Sequence, residues 1–240
     1  MEYSEPDIVA RISERQMRLR NALQRAEQVE ESVCCFLTIT RDEGTLGDEI
    51  ARELAQRLGW RVYDKEIVDD IANNNHVREE MVRRLDEKAQ GVIYDTIFRL
   101  LRMPEGTPFG EMEYHESLIN TLAAIAVHGK AVLVGRGANF ALRWSDHGLH
   151  IRTTGSSEVR IQRLSKTWNV SREAARHRMM VIDADRRAFV RQHYKQDFDD
   201  LRFYNIVFNT DHLTVGQAVN SVLSLLKSAP SSIGSGFSHN

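Results

Sequence analysis

The sequence predicts an α/β protein in which helices cover both faces of a parallel, five-stranded β-sheet, giving three layers. One observation is the run 33–39, which is largely apolar and rich in β-branched residues, as in a strand buried on both faces. Another is that apolar residues within 50–58 recur with helical spacing soon after it. Strand and helix patterns then alternate along the chain, and helical crossovers between strands are typical of parallel sheets.

Turn and capping residues set the predicted limits of the elements. Gly59 is expected to end the first helix, Asp64 to cap the second, and Gly135 to follow the third strand. The expected strands are 33–39, 60–63, 131–134, 148–152 and 203–208. The expected helices are 48–58, one after Asp64 that ends near 73–75, 77–88, 92–101, 113–128, 156–167, 171–194 as one long or broken stretch, and 214–226, with a loop at 103–110.

The alternating elements define one domain, 32–227, between two different terminal regions. Residues 1–31 are expected to form a helical extension with a thin apolar stripe. This helix either packs on the outside of the domain or forms a coiled-coil homodimer, and the interruption of the stripe at Arg15 and Gln16 favours the first. Residues 228–240 are rich in serine and glycine, which predicts a disordered tail.

Composition narrows the classes of function. The net charge of −2 gives no overall attraction to nucleic acid or to an anionic membrane. The first residues show no basic start or apolar core of the kind expected for a secretory signal, and no apolar run approaches membrane length. Its two cysteines, Cys34 and Cys35, are adjacent in a predicted strand and point to opposite faces, so no disulfide is expected between them. A cytoplasmic protein that acts on small molecules is therefore expected.

A glycine-containing loop, 41–47, joins the first strand to the first helix. This arrangement aims backbone N–H groups and the positive end of a helix at a phosphate. Against the P-loop pattern G-x-x-x-x-G-K-[ST], Leu46, Gly47 and Asp48 stand where Gly, Lys and Ser or Thr belong. The sequence therefore predicts a phosphate-binding scaffold that lacks the usual lysine.

Six segments in order resemble the cytidylate kinase-like family of P-loop kinases: 39–51, 62–67, 134–138, 158–163, 183–187 and 204–210. The resemblance implies a sheet of P-loop kinase type with the first strand central, a helical lid, and ATP and Mg²⁺ as cofactors. It also implies a nucleoside monophosphate acceptor, with CMP or dCMP leading. The family pattern commonly lacks the lysine as well, but Leu46 stands where a glycine is usual.

The loop is the expected ATP-binding region, and some of its residues have simpler explanations. A salt bridge to Asp42 or to a carboxylate at the sheet edge would account for Arg41 equally well. Asp48 and Glu49 are better explained as favouring a helix N-terminus than as Mg²⁺ ligands. No histidine or cysteine spacing indicates a metal site. The expected cofactor-binding residues are Arg41, Gly44, Thr45, Leu46, Gly47, Asp48 and Glu49.

Without the lysine, arginines must supply much of the positive charge that phosphoryl transfer needs. By resemblance Arg136 contacts the acceptor, although Gly137 stands where the family has Asp, and a plain surface turn is the alternative. Arg160 and Arg163 are one helical turn apart and could bind one anion or lie on a solvated face. The implied catalytic residues are Arg136, Arg160, Arg186 and Arg187, and the implied substrate-binding residues are Asp64, Arg136 and Asp185.

Other roles for these residues stay open. Asp64 is explained most simply as a helix cap, and the lid residues 183–191 as ion pairs on an amphipathic helix. Three functions are therefore considered. They are an ATP-dependent nucleoside monophosphate kinase, a nucleotide-sensing protein that has lost turnover, and a kinase of another small acceptor.

Overall fold

The structure, a computed structural model, describes residues 34–83 and 109–228. The predicted extension 1–31 with its proposed homodimer contact, the predicted helix 92–101 and the tail from 229 lie outside these residues. One parallel sheet holds five strands in the order β2-β3-β1-β4-β5. The strands are β1 (Phe36–Arg41), β2 (Arg61–Tyr63), β3 (Ala131–Val134), β4 (Gly148–Thr154) and β5 (Ile206–Asn209).

Helices follow the strands as the alternating pattern predicts. In the described residues they are α1 (Gly47–Leu58), α2 (Lys65–Asn73), α3 (Asn75–Arg83), α4 (Phe109–His128), α5 (Ala138–Ala141), α6 (Ser157–Trp168), α7 (Arg172–Tyr194) and α8 (Val215–Ser228). A 3₁₀ turn spans Leu201–Phe203. None of these helices is both long enough and apolar enough to cross a membrane.

The central strand β1 separates two apolar cores, which confirms the three-layer prediction. Phe36 packs into the core on one face of the sheet, together with residues of α4 such as Leu118. Leu37 and Ile39 pack into the core on the other face, with α1 and α8. Side chains alternate between the faces of a strand, so a strand covered on both sides is mostly apolar, and its buried threonines, Thr38 and Thr40, hydrogen-bond to His150 and Asn139.

Parallel pairing brings the carboxyl ends of the strands to one edge of the sheet. β1 pairs with β3 through Ile39 and Val134, and with β4 through Arg41 and Thr153. The glycine loop after β1 and the Gly-Arg-Gly segment 135–137 after β3 are therefore neighbours. Ligands of such sheets bind at this edge, as the sequence predicted for both segments.

Some predicted limits were wrong. The last strand begins at Ile206 and not at residue 203, because Asp200 caps the 3₁₀ turn by accepting the N–H of Arg202 at 3.0 Å. The loop predicted at 103–110 overlaps the start of α4 at Phe109, and Ser228 ends α8 instead of beginning the tail. The short helix α5 was not predicted. The stretch 171–194 forms one unbroken helix after its cap at Ser171.

Candidate active site at the carboxyl edge of the sheet

A cavity of about 420 Å³ opens at this edge, beside β1 and β3 and beneath α7. Its volume lies within the range of about 300–1,000 Å³ that is usual for small-molecule sites. Phe189 and Phe198 supply aromatic surface to its wall. Its charged lining residues are Arg41, Lys65, Glu66, Arg136, Asp185 and Arg186.

The backbone of the glycine loop has the conformation of an anion site. Gly44 and Leu46 both have left-handed φ angles, +79° and +60°. Within the described residues, the N–H groups of 44–47 donate to no protein acceptor. Alternation of left- and right-handed residues at a helix start turns successive N–H groups toward one point, where an anion binds.

Leu46 has a left-handed φ angle, the backbone conformation that favours the glycine usual at this position in the family. It precedes α1 and makes no side-chain capping bond. Its side chain packs against the core that contains Ile50. The leucine therefore holds the loop to the core while it adopts a φ angle that an L-residue seldom takes.

Packing around Gly47 explains why no lysine stands at this position. A Cβ at this position would lie 2.6 Å from the Cβ of Arg41 and 2.7 Å from Oγ1 of Thr153. Both are closer than real Cβ contacts, so the stem of Arg41 fills the space that a side chain at 47 would need. The loop thus exchanges a lysine on the helix for an arginine at the end of β1.

Arg41 reaches the cavity and pairs with Asp48, whose Oδ1 accepts its Nε–H at 2.9 Å. Asp42, the partner considered from sequence, instead receives Arg152 at 3.3 Å. Burial lowers the pKa of Arg41, and the nearby positive charge of Arg186 lowers it further. Two neighbouring guanidinium groups at one cavity favour an anion between them.

Contacts from α6 and α7 fix the loop from behind. Arg186 donates to the carboxylate of Glu43 at 2.6 Å and to the carbonyl of Arg41 at 3.1 Å. Asp183 accepts the N–H of Glu43 at 2.8 Å, and Arg160 donates its Nε–H to the carbonyl of Glu43 at 2.7 Å. The hydroxyl of Thr45 also points inward, to the carbonyl of Asp42 at 2.6 Å.

Arg160 and Arg187 lie outside the lining of the cavity. Arg160 is only 6% exposed and forms an ion pair with Asp183. Arg187 donates its Nε–H to Asp199 at 2.8 Å, which raises the pKa of Arg187. Arg163 donates to the carbonyl of Gly44 at 3.3 Å instead of sharing an anion with Arg160. Direct contact of Arg160 or Arg187 with a phosphate would require these pairs to open, and the prediction of their catalytic role stays untested.

Arg136 projects into the cavity from the segment after β3. Its guanidinium pairs with Asp69 of α2 and lies over the ring of Phe189, 4.6 Å from the ring centroid. The ring of Tyr194 packs against Gly137 and leaves no room for a side chain there, because a Cβ at this position would lie 2.1 Å from the ring. An aspartate, the residue that the family was expected to have at this position, therefore does not fit here as the chain is packed.

The start of α2 contributes residues that differ from the expected one. Asp64 caps the helix by accepting the N–H of Ile67 at 3.0 Å, and it is not part of the lining. Lys65 and Glu66, which follow it, do line the cavity. Asp185 also lines the cavity, on the same helix as Arg186, and its predicted role in substrate binding stays a prediction.

Comparison with known proteins identifies the family of this chain. The model of the cytidylate kinase-like family matches residues 36–212, most of the chain. The chain belongs to the cytidylate kinase-like family. Membership confirms the predicted resemblance and the predicted α/β fold of P-loop kinase type.

The individual proteins that the chain resembles have low sequence identity to it. A cytidylate kinase of Methanocaldococcus jannaschii is 30% identical over 116 residues, which are 48% of this chain and 65% of that protein. The chain thus spans less than two thirds of the length of this relative. A crystal structure of an uncharacterized protein from Eubacterium ventriosum matches 82% of this chain and 99% of its own, with a TM-score of 0.64 and 19% identity. A shikimate kinase from Bacteroides thetaiotaomicron covers 80% of this chain with a TM-score of 0.43.

The site of this family member combines expected and unexpected residues. Arg41, Arg136, Asp185 and Arg186, all named from the sequence, line the same cavity, and their roles stay predictions. Sequence reasoning missed Asp69 and Glu43, the carboxylates that hold Arg136 and Arg186. Glu43 lies within a segment that resembles the family, whereas Asp69 lies outside all six segments. No sequence motif therefore pointed to Asp69. Among the described residues, no group of three or more acidic, histidine or cysteine side chains is arranged to hold a metal ion.

Proposed function

We propose that this protein transfers the γ-phosphoryl group of ATP to a nucleoside monophosphate, with CMP and dCMP the first acceptors to test. The observation that carries the proposal is that Arg41, Arg136 and Arg186 line one cavity. It lies beside a loop whose N–H groups have no acceptor in the part of the chain that the structure describes. Family membership supports the reaction class. The cytidylate kinase from M. jannaschii supports the choice of acceptor.

Phosphoryl transfer requires two anionic substrates in line and positive charge spread over the group that moves. The N–H groups of 44–47 and the N-terminal end of α1 are suited to the donor phosphates. Arg41 and Arg186 lie at the border between the loop and the cavity and would carry the charge that the lysine supplies elsewhere. Arg136, on the far side, would hold the acceptor phosphate through its planar fork.

The residues present also fit Mg²⁺ bound together with a nucleotide. This ion usually takes one or two carboxylates, several waters and the phosphates of the substrate, so it needs no cage made of protein alone. Glu66 and Asp185 line the cavity and can act through water, whereas Asp48 is engaged by Arg41. When bound, Mg²⁺ would neutralise phosphate charge.

Arg160, Arg187 and Asp64 receive supporting roles in this proposal. Arg160 holds Glu43 and Asp183 together, and Asp64 starts the helix that carries Lys65 and Glu66. Arg187 binds Asp199, next to the cavity residue Phe198. The proposed location is the cytoplasm, in keeping with the lack of a disulfide at Cys34 and Cys35 within the described residues.

A nucleotide-binding protein without turnover is the second candidate. The side chain of Leu46 favours it, because a Cβ at the helix start hinders close approach of a phosphate. A kinase of another acceptor is the third, since Tyr194 excludes the aspartate that the family was expected to have at 137.

A panel of nucleoside monophosphates with ATP and Mg²⁺, read by coupled ADP release, tests the proposal. Turnover should be highest with CMP or dCMP. Binding of the same monophosphates by calorimetry, without ATP, separates the alternatives. Binding without turnover would favour the sensor, and neither binding nor turnover with any monophosphate would leave a kinase of another acceptor.

A further inference from the structure

We infer that Asp69 and Tyr114 are positioning residues that set the guanidinium of Arg136 for binding the acceptor phosphate. The inference deepens the proposed function and rests on it for the identity of the anion. Neither residue lines the cavity, so both would act through Arg136.

The backbone at Arg136 is held in an unusual conformation. Its φ angle is +51°, a left-handed value that L-residues seldom adopt. The hydroxyl of Tyr194 donates to the carbonyl of Arg136 at 2.7 Å. Residues kept in such conformations cluster at ligand sites, where the surrounding structure holds them in place.

The guanidinium of Arg136 is held along one edge by Asp69 and on one face by the ring of Phe189. Asp69 accepts its Nε–H at 2.7 Å and also accepts from Nη2, while Phe189 lies beneath the guanidinium plane. Within the described residues, Nη1 donates to no acceptor. The side chain is 15% exposed and lines the cavity, so its remaining donors are available to a ligand there.

Asp69 is itself held in place by a second group. Tyr114 of α4 donates its hydroxyl to Oδ1 of Asp69 at 2.9 Å, the oxygen that also accepts from Nε of Arg136. Burial raises the pKa of Tyr114, so the phenol keeps its proton and stays a donor near neutral pH. The order Tyr114, Asp69, Arg136 forms a chain of hydrogen bonds that ends at the cavity.

The location of Asp69 indicates that it orients Arg136 and does not occupy the place of the substrate phosphate. If Asp69 occupied the place of a substrate phosphate, it would lie in the cavity, but the lining omits it. A carboxylate behind the guanidinium restricts its rotation and leaves one edge for a phosphate. The two arrangements predict opposite effects of Asp69→Asn on affinity.

The test is a double-mutant cycle between Asp69→Asn and Arg136→Ala, measured by steady-state kinetics with CMP and by calorimetry with CMP and pyrophosphate. Asp69→Asn should lower kcat/KM by roughly 10- to 100-fold, mainly through kcat, because alignment is lost. Tyr114→Phe should lower it by roughly 3- to 10-fold. The double variant should be no worse than Arg136→Ala, because a positioning residue acts only through its partner.

Thr121→Val is the control for Tyr114→Phe. It removes a buried hydroxyl of the same helix, which donates to the carbonyl of Ser117 at 2.8 Å, and Thr121 is not part of the cavity lining. It should match the loss of thermal stability without the loss of activity. Equal losses of activity in both variants would indicate a general effect of destabilisation and overturn the inference.

An NMR signal makes the test independent of turnover. The Nε–H of Arg136 should exchange slowly with water in the wild type, more rapidly in Tyr114→Phe, and be lost to exchange in Asp69→Asn. If no monophosphate reacts but pyrophosphate binding depends on Asp69, the kinase proposal fails and the positioning role stands. Tighter anion binding by Asp69→Asn, a multiplicative loss in the double variant, or no anion binding by the wild type overturns it.

Discussion

Gly47→Ala tests directly why this loop carries no lysine. The new methyl group would stand 2.6 Å from Cβ of Arg41 and 2.7 Å from Oγ1 of Thr153. Neither neighbour is the free end of a flexible side chain, so the end of β1 or the start of α1 must move. Overpacking of this kind costs roughly 1–3 kcal/mol, while alanine in a helix recovers about 0.5–1 kcal/mol.

The expected net destabilisation is about 1–2 kcal/mol, or a fall in Tm of roughly 2–8 °C for a chain of this size. Displacement of Arg41 should also weaken binding of ADP by about tenfold, which corresponds to about 1.4 kcal/mol. Scanning calorimetry measures the first effect and titration calorimetry the second. Both should appear in the same variant, because one displacement causes them.

Two other glycines supply the controls. At Gly216 of α8 a methyl group would have no neighbouring atom within 4 Å, so Gly216→Ala should be neutral or slightly stabilising. Gly59 also has open space but a φ of +66°, so Gly59→Ala reports left-handed strain alone. Neither should change ADP affinity. Wild-type Tm and affinity in Gly47→Ala would refute the explanation, because a side chain at 47 would then be compatible with Arg41.

Three further predictions concern other parts of the chain. Arg136→Ala should lower kcat/KM by on the order of 10²-fold, about 3 kcal/mol, with an intact fold, and Arg136→Lys should recover only part of it; wild-type kinetics in Arg136→Ala would show that the segment is merely a turn. Leu46→Gly should tighten ADP binding in calorimetry, because the helix start loses a Cβ; unchanged affinity would argue against steric hindrance there. Burial lowers the pKa of His115 from 6.5 to about 4, so the folded state resists protonation and the free energy of unfolding should fall by up to about 3 kcal/mol as the pH falls from 6.5 to 4. Urea unfolding at several pH values should show this slope weakened in His115→Phe; an unchanged slope would contradict the assignment. The substitution also removes two ring nitrogens that have no hydrogen-bond partner among the described residues, so the variant should be more stable at pH 7.

The fold was predictable because its signals are local. A central parallel strand is buried on both faces, and the run that forms β1 is mostly apolar or β-branched within a few consecutive residues. Capping by Asp64 and by Ser171 likewise depends on bonds to residues three positions away. Such patterns can be read without knowing what the rest of the chain does.

The partners of the arginines were not predictable in this way. Arg186 pairs with Glu43, 143 positions away, and Arg136 with Asp69, 67 positions away. Sequence spacing reveals ion pairs within one helix, whereas these pairs depend on how helices pack against the sheet. The choice of Arg136 and Arg186 came from the resemblance, and their confinement to one cavity could be seen only in three dimensions.

The unbroken helix α7 links the two halves of the site mechanically. Asp183 and Arg186 hold the glycine loop, while Tyr194 holds the carbonyl of Arg136. At about 1.5 Å of rise per residue, the distance from the first of these contacts to the last is roughly 16 Å along one stiff rod. A ligand that shifts this rod at one end changes the binding free energy at the other. Thermodynamic linkage makes the effect reciprocal, so occupancy of the loop and occupancy of the proposed acceptor site should change each other's affinity by the same factor.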